Sequence, residues 1–405
     1  MAALRSIVHM DLDTFFVSCE RLLDSRLRGK PILIGGTSDR GVVASCSYEA
    51  RRFGVHAAMP MKMARERCPE AVVIKGNTAT YSHYSKQVTE IIRESVPLYE
   101  KSSIDEFYLD LSGMDTYFGT LQYATELRTK IIRETGLPIS FGLSENKTVS
   151  KIATGEAKPN NQLQIDHGHE RDFLGPLSVR KIPMVGLKTY QTLCNLGMKR
   201  IRTIQEMPAD LLEGALGQHG VELWKKAQGI DRSPVVQHNE RKSISTERTF
   251  ETDTIDVQKL KGIILAMAEN LAFQLRRGNK LTSCVTVKIR YADFQTQTLQ
   301  RKIAYTAADH QLIPLVSELF DRLFNRRILV RLIGIRYSGL VSGNHQLSLF
   351  DEGERYVELY RVMDHIRTRF GDRAVMRAVG LDARTIGMWN PFSGEPPMPL
   401  ANRKS

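Results

Sequence analysis

Ile7-Val8-His9-Met10-Asp11-Leu12-Asp13-Thr14-Phe15-Phe16 alternates as a buried strand does, with Val8, Met10 and Leu12 on one face and His9, Asp11 and Asp13 on the other. Acidic side chains inside an otherwise apolar strand are costly unless they are paired or hold a cation. The combination recurs in Ser103-Ile104-Asp105-Glu106-Phe107-Tyr108-Leu109-Asp110, an apolar strand that opens on an adjacent acidic pair. Three or four carboxylates brought to one place repel one another, and hard Mg²⁺ bound by carboxylates and substrate phosphates relieves that repulsion. Two such ions ~3.5–4 Å apart stabilise both the attacking and the leaving oxygens of a phosphoryl transfer. Taken singly, each acidic pair reads equally as a solubilising surface feature.

Outward from these strands, residues 35–69 are rich in small and basic types and include Tyr48-Glu49-Ala50-Arg51-Arg52. A helical pattern follows (Tyr84, Val88, Ile91, Ile92, Val96), then the acidic strand, a second helix near 121–134 and an apolar strand near 137–143. This alternation predicts one αβ domain with helices on one face of its sheet and a small insertion. Between 170 and 229, short helices are punctuated by glycine. Gly186 and Lys188 open a helix–hairpin–helix pattern whose backbone N–H groups suit phosphate oxygens. A plain helical bundle with glycine caps fits that stretch equally well. Residues 232–242 read as a polar linker.

From 243 the periods reset: strand 243–250, helix 257–277, strands 283–291 and 299–305, helix 310–326 and strand 330–339, a β-α-β-β-α-β order. Residues 241–345 hold 17 Lys/Arg and 9 Asp/Glu, a net +8, so about two-thirds of the chain's excess positive charge sits in a quarter of its length. Thr286, Lys288 and Arg290 alternate with Val285, Val287, Ile289 and Tyr291, giving a sheet with one apolar and one basic face. Arg331 and Arg336 add charge on a later strand. Such a face fits a phosphate backbone, with a merely solvated basic surface as the alternative.

The chain has 405 residues, a net charge of +12 and 42% hydrophobic residues. It has no apolar run near the ~20 residues of a membrane span. Five cysteines without a CxxC pair argue against a disulfide framework or a zinc site, and the N-terminus runs straight into a strand rather than a signal peptide. The expectation is a folded, basic, multidomain cytoplasmic protein with an anionic partner and no need for a homo-oligomer. Tyr48, Arg51 and Lys158 suit a triphosphate, since Arg offers a planar fork and Lys a point charge. Singly they would be ordinary surface and turn residues. Neither a Walker-A nor a GxGxxG pattern occurs.

HMDLDTFF at 9–16, SYEARRFGV at 47–55, AAMP at 57–60, SIDEFYLD at 103–110 and SKIATGEAKPN at 150–160 resemble, in order, the signature blocks of Y-family translesion DNA polymerases of the bacterial type. The resemblance covers residues 5 to about 350. It implies an α+β right hand: a ferredoxin-like palm (1–16 and 77–166), small fingers (17–76), a helical thumb with a helix–hairpin–helix (167–231), the linker, and a little finger (243–345). By position it makes Asp11, Asp105 and Glu106 the catalytic, metal-binding carboxylates, with the Leu12 carbonyl as a further ligand, two Mg²⁺ as cofactors and Asp13 in support. Phe16 becomes the steric gate against a ribose 2′-OH, and Ser45, Tyr48, Arg51 and Lys158 hold the incoming dNTP. Gly186, Lys188, Thr286, Lys288, Arg290, Arg331 and Arg336 become contacts to primer–template DNA.

Several positions depart from the family pattern: Ser45 and Ser47 for Thr and Asn, Phe107 for a small residue, Asn161 for Gly, and Met184 for a Gly in the first thumb hairpin. Gln346-Leu347-Ser348-Leu349-Phe350 resembles, with Gln346, Leu347, Leu349 and Phe350 as its contacts, the pentapeptide that docks bacterial polymerases on the β sliding clamp. The extension 351–405 carries a helical pattern (Tyr356, Leu359, Met363, Ile366, Phe370) and a proline-rich end, with no role assigned. Rival readings are a non-catalytic DNA-repair scaffold, expected to lack a carboxylate, and a palm-type nucleotidyl cyclase, which needs no DNA-gripping domain.

Overall fold

The computed structural model describes residues 5–114, 119–237, 240–343, 353–371 and 374–380. The chain forms two compact units that meet in sequence at residues 239 and 240. The first carries strands β1 (Ile7–Leu12), β2 (Ile32–Gly35), β3 (Val43–Cys46), β4 (Val72–Ile74), β5 (Leu98–Lys101), β6 (Glu106–Asp110), β7 (Ile139–Ser144) and β8 (Gln162–Gln164). Its larger sheet runs β5-β6-β1-β7-β8, with β1 in the middle, antiparallel to both neighbours. Val8, Met10, Leu12, Phe107, Leu109, Phe141 and Leu143 share one core with helices Thr78–Ser95 and Thr120–Thr135.

The expectation of helices on one face only is corrected here. Helix Lys147–Ala157 crosses the other face so closely that a Cβ on Gly142 would lie 2.3 Å from the Ser150 carbonyl oxygen and 2.6 Å from the Thr154 nitrogen. Glycine inside a strand marks such an approach. The helix is fixed at its start by Asn146, whose side chain accepts from Val149 N at 3.0 Å.

A smaller sheet, β3-β2-β4, has its own core of Leu33, Val43, Cys46, Val55, Met59 and Met61. Helix Phe15–Leu23 straddles the expected 16/17 boundary, and its Val17 and Cys19 pack with β1. Short helices from Glu170 to Ala227 form a third core around Leu174, Leu193, Ile201, Leu212 and Leu223. Half of the expected linker is anchored instead. Ser233 O accepts from Arg5 Nη2 at 2.8 Å, Val236 N donates to Glu100 at 2.9 Å, and Val235 packs on Ile7 and Tyr108.

The second unit has strands β9 (Ser243–Thr254), β10 (Lys280–Tyr291), β11 (Thr296–Thr306), β12 (Val330–Ser338) and β13 (Val341–Ser342) with helices Val257–Arg277 and Asp309–Leu323, the order read from the sequence. Its sheet runs β11-β10-β12-β9, antiparallel throughout. Val285, Val287, Ile289 and Tyr291 are buried against the two helices.

Helix Gly353–Phe370 belongs to this unit and buries an unexpected face. Most of the expected apolar stripe is outside: Tyr356 is 39%, Leu359 51% and Phe370 69% exposed, and Met363 and Ile366 are half-buried. Tyr360 and Arg367 are buried instead. Arg276 joins Asp309 and Asp364, both at 2.6 Å, and Arg367 joins Glu269 at 2.6 Å and the Val375 carbonyl. Removing one member of a buried ion pair strands the other. Arg367→Ala is expected to cost about 3–5 kcal/mol in urea unfolding, whereas exposed Arg361→Ala on the same helix should stay within ~0.5 kcal/mol.

Candidate active site

Cross-strand register sets the carboxylates. Asp11 on β1 lies directly opposite Glu106 on β6, so their side chains emerge together on the face that helix Lys147–Ala157 covers only in part. The chain bends at 102–105 before β6, and Ser103 holds the bend: its hydroxyl accepts from Asp105 N and Glu106 N and donates to the Asp105 carboxylate at 2.6 Å. Leu12 N donates to Asp105 O at 3.1 Å, tying the end of β1 to the same bend.

Two lysines answer these charges. Lys158 donates to Asp11, and Lys151 reaches Glu106 at 2.6 Å. Burial pushes the Asp11 carboxyl up to about 7 against the pull of Lys158, with Glu106 and Asp105 adding to the rise. Burial also raises Asp105, opposed by its Ser103 hydrogen bond. Burial thus works against charge on Asp11 and Asp105 even with Lys158 in place. The donors here are all oxygens, three carboxylates beside the Leu12 backbone, which fits a hard divalent cation.

His9 sits behind them, 1% exposed, with Nδ1 2.9 Å from the Thr154 hydroxyl and its ring 4.6 Å from that of Tyr108. Burial, with Lys151, Lys158 and Lys147 nearby, drives its pKa well down, and its buried Nε2 lies 4.0 Å from Glu106 with no hydrogen-bond partner among the described residues. Sequence reading missed both His9 and Lys151. The spacing of Lys151 and Lys158, two helical turns apart and so on one face, was the available signal.

Asp13 is a scaffold. Its buried carboxylate accepts from Asn160 N at 2.6 Å, Ser140 Oγ at 2.9 Å and the Tyr48 hydroxyl at 3.3 Å. It thereby ties the turn after Lys158 to Tyr48. Buried Ser47 caps the helix Tyr48–Arg51, accepting from Ala50 N, and the Arg51 guanidinium lies over the Tyr48 ring at 5.0 Å. Ser45 is on β3, just before that helix. Phe16 is half-buried and stacks on Tyr81 at 4.4 Å and 15°. Tyr81 is itself held by its hydrogen bond to Glu20 at 2.6 Å. Phe107, beside the carboxylates in sequence, points into the opposite core and is fully buried there.

In the second unit, cross-strand register places Arg336 beside Thr286, with Lys288 and Arg290 on the same face. Lys288 pairs with Glu247, and Arg290 Nε donates to Thr296 at 2.8 Å. Arg331 falls at a register shift, apart from this row, with its guanidinium over the Phe294 ring at 4.6 Å. Gly186 caps helix Leu187–Asn195, and Lys188 in its first turn is exposed. The pentapeptide 346–350 lies outside the described residues.

Met184 adopts φ 77 and is 78% exposed, so the first hairpin holds a side chain in a left-handed conformation with little packing in return. Met184→Gly should relieve that strain, worth about 1–2 kcal/mol, less the extra flexibility glycine brings to the unfolded chain. A net gain of roughly 0.5–1 kcal/mol in thermal unfolding is expected. A loss of stability would mean that the Met184 side chain contributes packing its exposure does not suggest.

Residues 10–155 match the impB/mucB/samB family and residues 241–349 its C-terminal domain. A DNA polymerase IV from Dehalococcoides mccartyi strain BAV1 is 37% identical over 377 residues, covering 92% of this chain and 97% of its own. One from Opitutus terrae is 35% identical, covering 94% and 98%. Among solved structures, a Y-family DNA polymerase chimera superposes with a TM-score of 0.71 at 26% identity, over 84% of this chain and all of its own. An insertion ternary complex of Dbh DNA polymerase gives 0.60 at 25% identity, with the same coverage. With both family matches in order and more than nine-tenths of its length aligned with these polymerases, the chain belongs to the impB/mucB/samB family, the Y-family translesion DNA polymerases.

Proposed function

We propose that this polymerase joins a primer 3′-OH to the α-phosphate of a dNTP, with pyrophosphate leaving, at the carboxylates of β1 and β6. The observation that carries the reading is the convergence of Asp11, Asp105 and Glu106, ~95 residues apart in sequence, beside Lys151 and Lys158. Asp11, Asp105, Glu106 and the Leu12 carbonyl would hold two Mg²⁺, whose chemistry is to neutralise charge on the attacking and leaving oxygens. Tyr48, Arg51 and Lys158 hold the triphosphate, and Asp13 keeps Tyr48 and the Lys158 turn in place. Phe16, braced by Tyr81, blocks a ribose 2′-OH. Alignment of the two reactants accounts for much of the acceleration.

The domain reading follows: palm 1–16 and 77–166, fingers 17–76, thumb 167–231 and little finger 243–345. The basic face of Thr286, Lys288, Arg290 and Arg336, with the Gly186–Lys188 hairpin, grips phosphates without reading sequence, so DNA affinity should fall steeply with salt. Extension of an undamaged primer–template with Mg²⁺ and four dNTPs, lost with EDTA, tests the activity. Salt-sensitive DNA binding without extension would instead favour a non-catalytic scaffold.

Residues 346–350 recruit the sliding clamp through an apolar peptide in a groove. Alanine at Gln346, Leu347, Leu349 and Phe350 should cut clamp-stimulated extension at least ~10-fold while leaving clamp-free extension intact. Equal stimulation of both proteins would remove the clamp from this reading.

A further inference from the structure

Away from the polymerase site, the geometry points to a second metal site, for a first-row transition ion of the Zn²⁺ type, formed by Glu145, His167 and Glu170. One ligand atom of each lies within 4.8 Å of the other two. His167 Nδ1 is already 2.5 Å from Glu145 Oε2.

Glu170 supplies an independent reason. It is 7% exposed, and although one carboxylate oxygen accepts from Gly168 N at 2.9 Å, the other is buried with no hydrogen-bond partner among the described residues. A buried acceptor left without a partner costs about 1–3 kcal/mol, more when charged. The buried Glu170 carboxylate thus keeps acceptor capacity to spare while one of its oxygens lies within 4.8 Å of ligand atoms of Glu145 and His167.

Two carboxylates and one imidazole make a borderline donor set. Mg²⁺ and Ca²⁺ favour all-oxygen shells, whereas Zn²⁺ takes His and Glu at ~2.0–2.2 Å and leaves further positions for water. Tetrahedral bonds of that length separate ligand atoms by about 3.3 Å, between the 2.5 Å of the existing pair and the 4.8 Å limit of the cluster. The metal therefore needs only small side-chain adjustments, and His167, with 61% of its side chain exposed, is free to make them.

The location gives the ion something to tie together. Glu145 immediately precedes Asn146, the cap of helix Lys147–Ala157, while Glu170 opens the next helical layer at Glu170–Leu174. The ion would pin the turn that launches the helix carrying Lys151 and Lys158.

The test is Zn²⁺ titration of chelator-stripped full-length protein by calorimetry, in excess Mg²⁺ to occupy all-oxygen sites. Wild type, His167→Gln and Glu170→Gln are compared, each first checked for an unchanged metal-free unfolding midpoint. The expected result is one Zn²⁺ equivalent on wild type that raises its midpoint, shows one imidazole ligand by X-ray absorption, and weakens at least ~10-fold in both variants. Equal affinity and stoichiometry in all three proteins, or no Zn²⁺ bound by wild type, would overturn the site.

Discussion

Glu106→Ala should reduce primer extension by at least about 10³-fold, the scale on which a charge-stabilising group at a phosphoryl-transfer centre acts. Fold and DNA affinity should hardly change. Glu106 lies at the rim of its sheet with part of its surface exposed, and its side-chain partner is Lys151. That partner supplies the control. If Glu106 did no more than anchor Lys151, then Lys151→Ala would show the same loss. If Glu106 acts directly on the reacting groups, Lys151→Ala should retain most of the activity that Glu106→Ala destroys. Single-turnover rates on saturating DNA separate the two.

Phe16→Ala is expected to act on selectivity instead of rate. Its ring lies flat on Tyr81, and Tyr81 is fixed at its far end by Glu20, so the wall it presents cannot easily yield. Truncation to Ala should lower discrimination of kcat/KM between dCTP and CTP by about 10²-fold or more, because a cavity rejects an added hydroxyl by shape only while the wall stands. Tyr81→Phe keeps the stacked ring but frees its far end from Glu20, so its discrimination should fall by much less than that of Phe16→Ala. An unchanged ratio in Phe16→Ala would remove the residue from its role as gate.

Much of this arrangement is legible from spacing. The period-two pattern of Val8, Met10 and Leu12 identifies β1, and the same pattern in 285–291 identifies the basic and apolar faces of β10. Helix Val257–Arg277 has both observed ends visible in its periodicity. The misses share a cause: local pattern does not say which neighbour a face meets. His9 shares its strand face with Asp11 and looks solvated, yet helix Lys147–Ala157 covers it, and only Gly142 hinted that a backbone would come so near. The apolar stripe of helix Gly353–Phe370 looks like the face to bury, but the ions Arg276, Asp309 and Glu269 on the neighbouring helices reward the charged face instead. Met184 is the converse case, where a departure from the family pattern coincides with backbone strain.

The match to the family's C-terminal domain ends at residue 349, but the second unit does not. A protein stopped there would keep every residue of both family-model matches. It would lose Asp364 and Arg367, leave Glu269 as a buried anion without its guanidinium, and uncover His310, whose ring Tyr356 stacks upon at 4.2 Å. The end of the matched C-terminal domain and the end of the second compact unit are thus two different positions in this chain, and helix Gly353–Phe370 lies between them as part of that unit's interior.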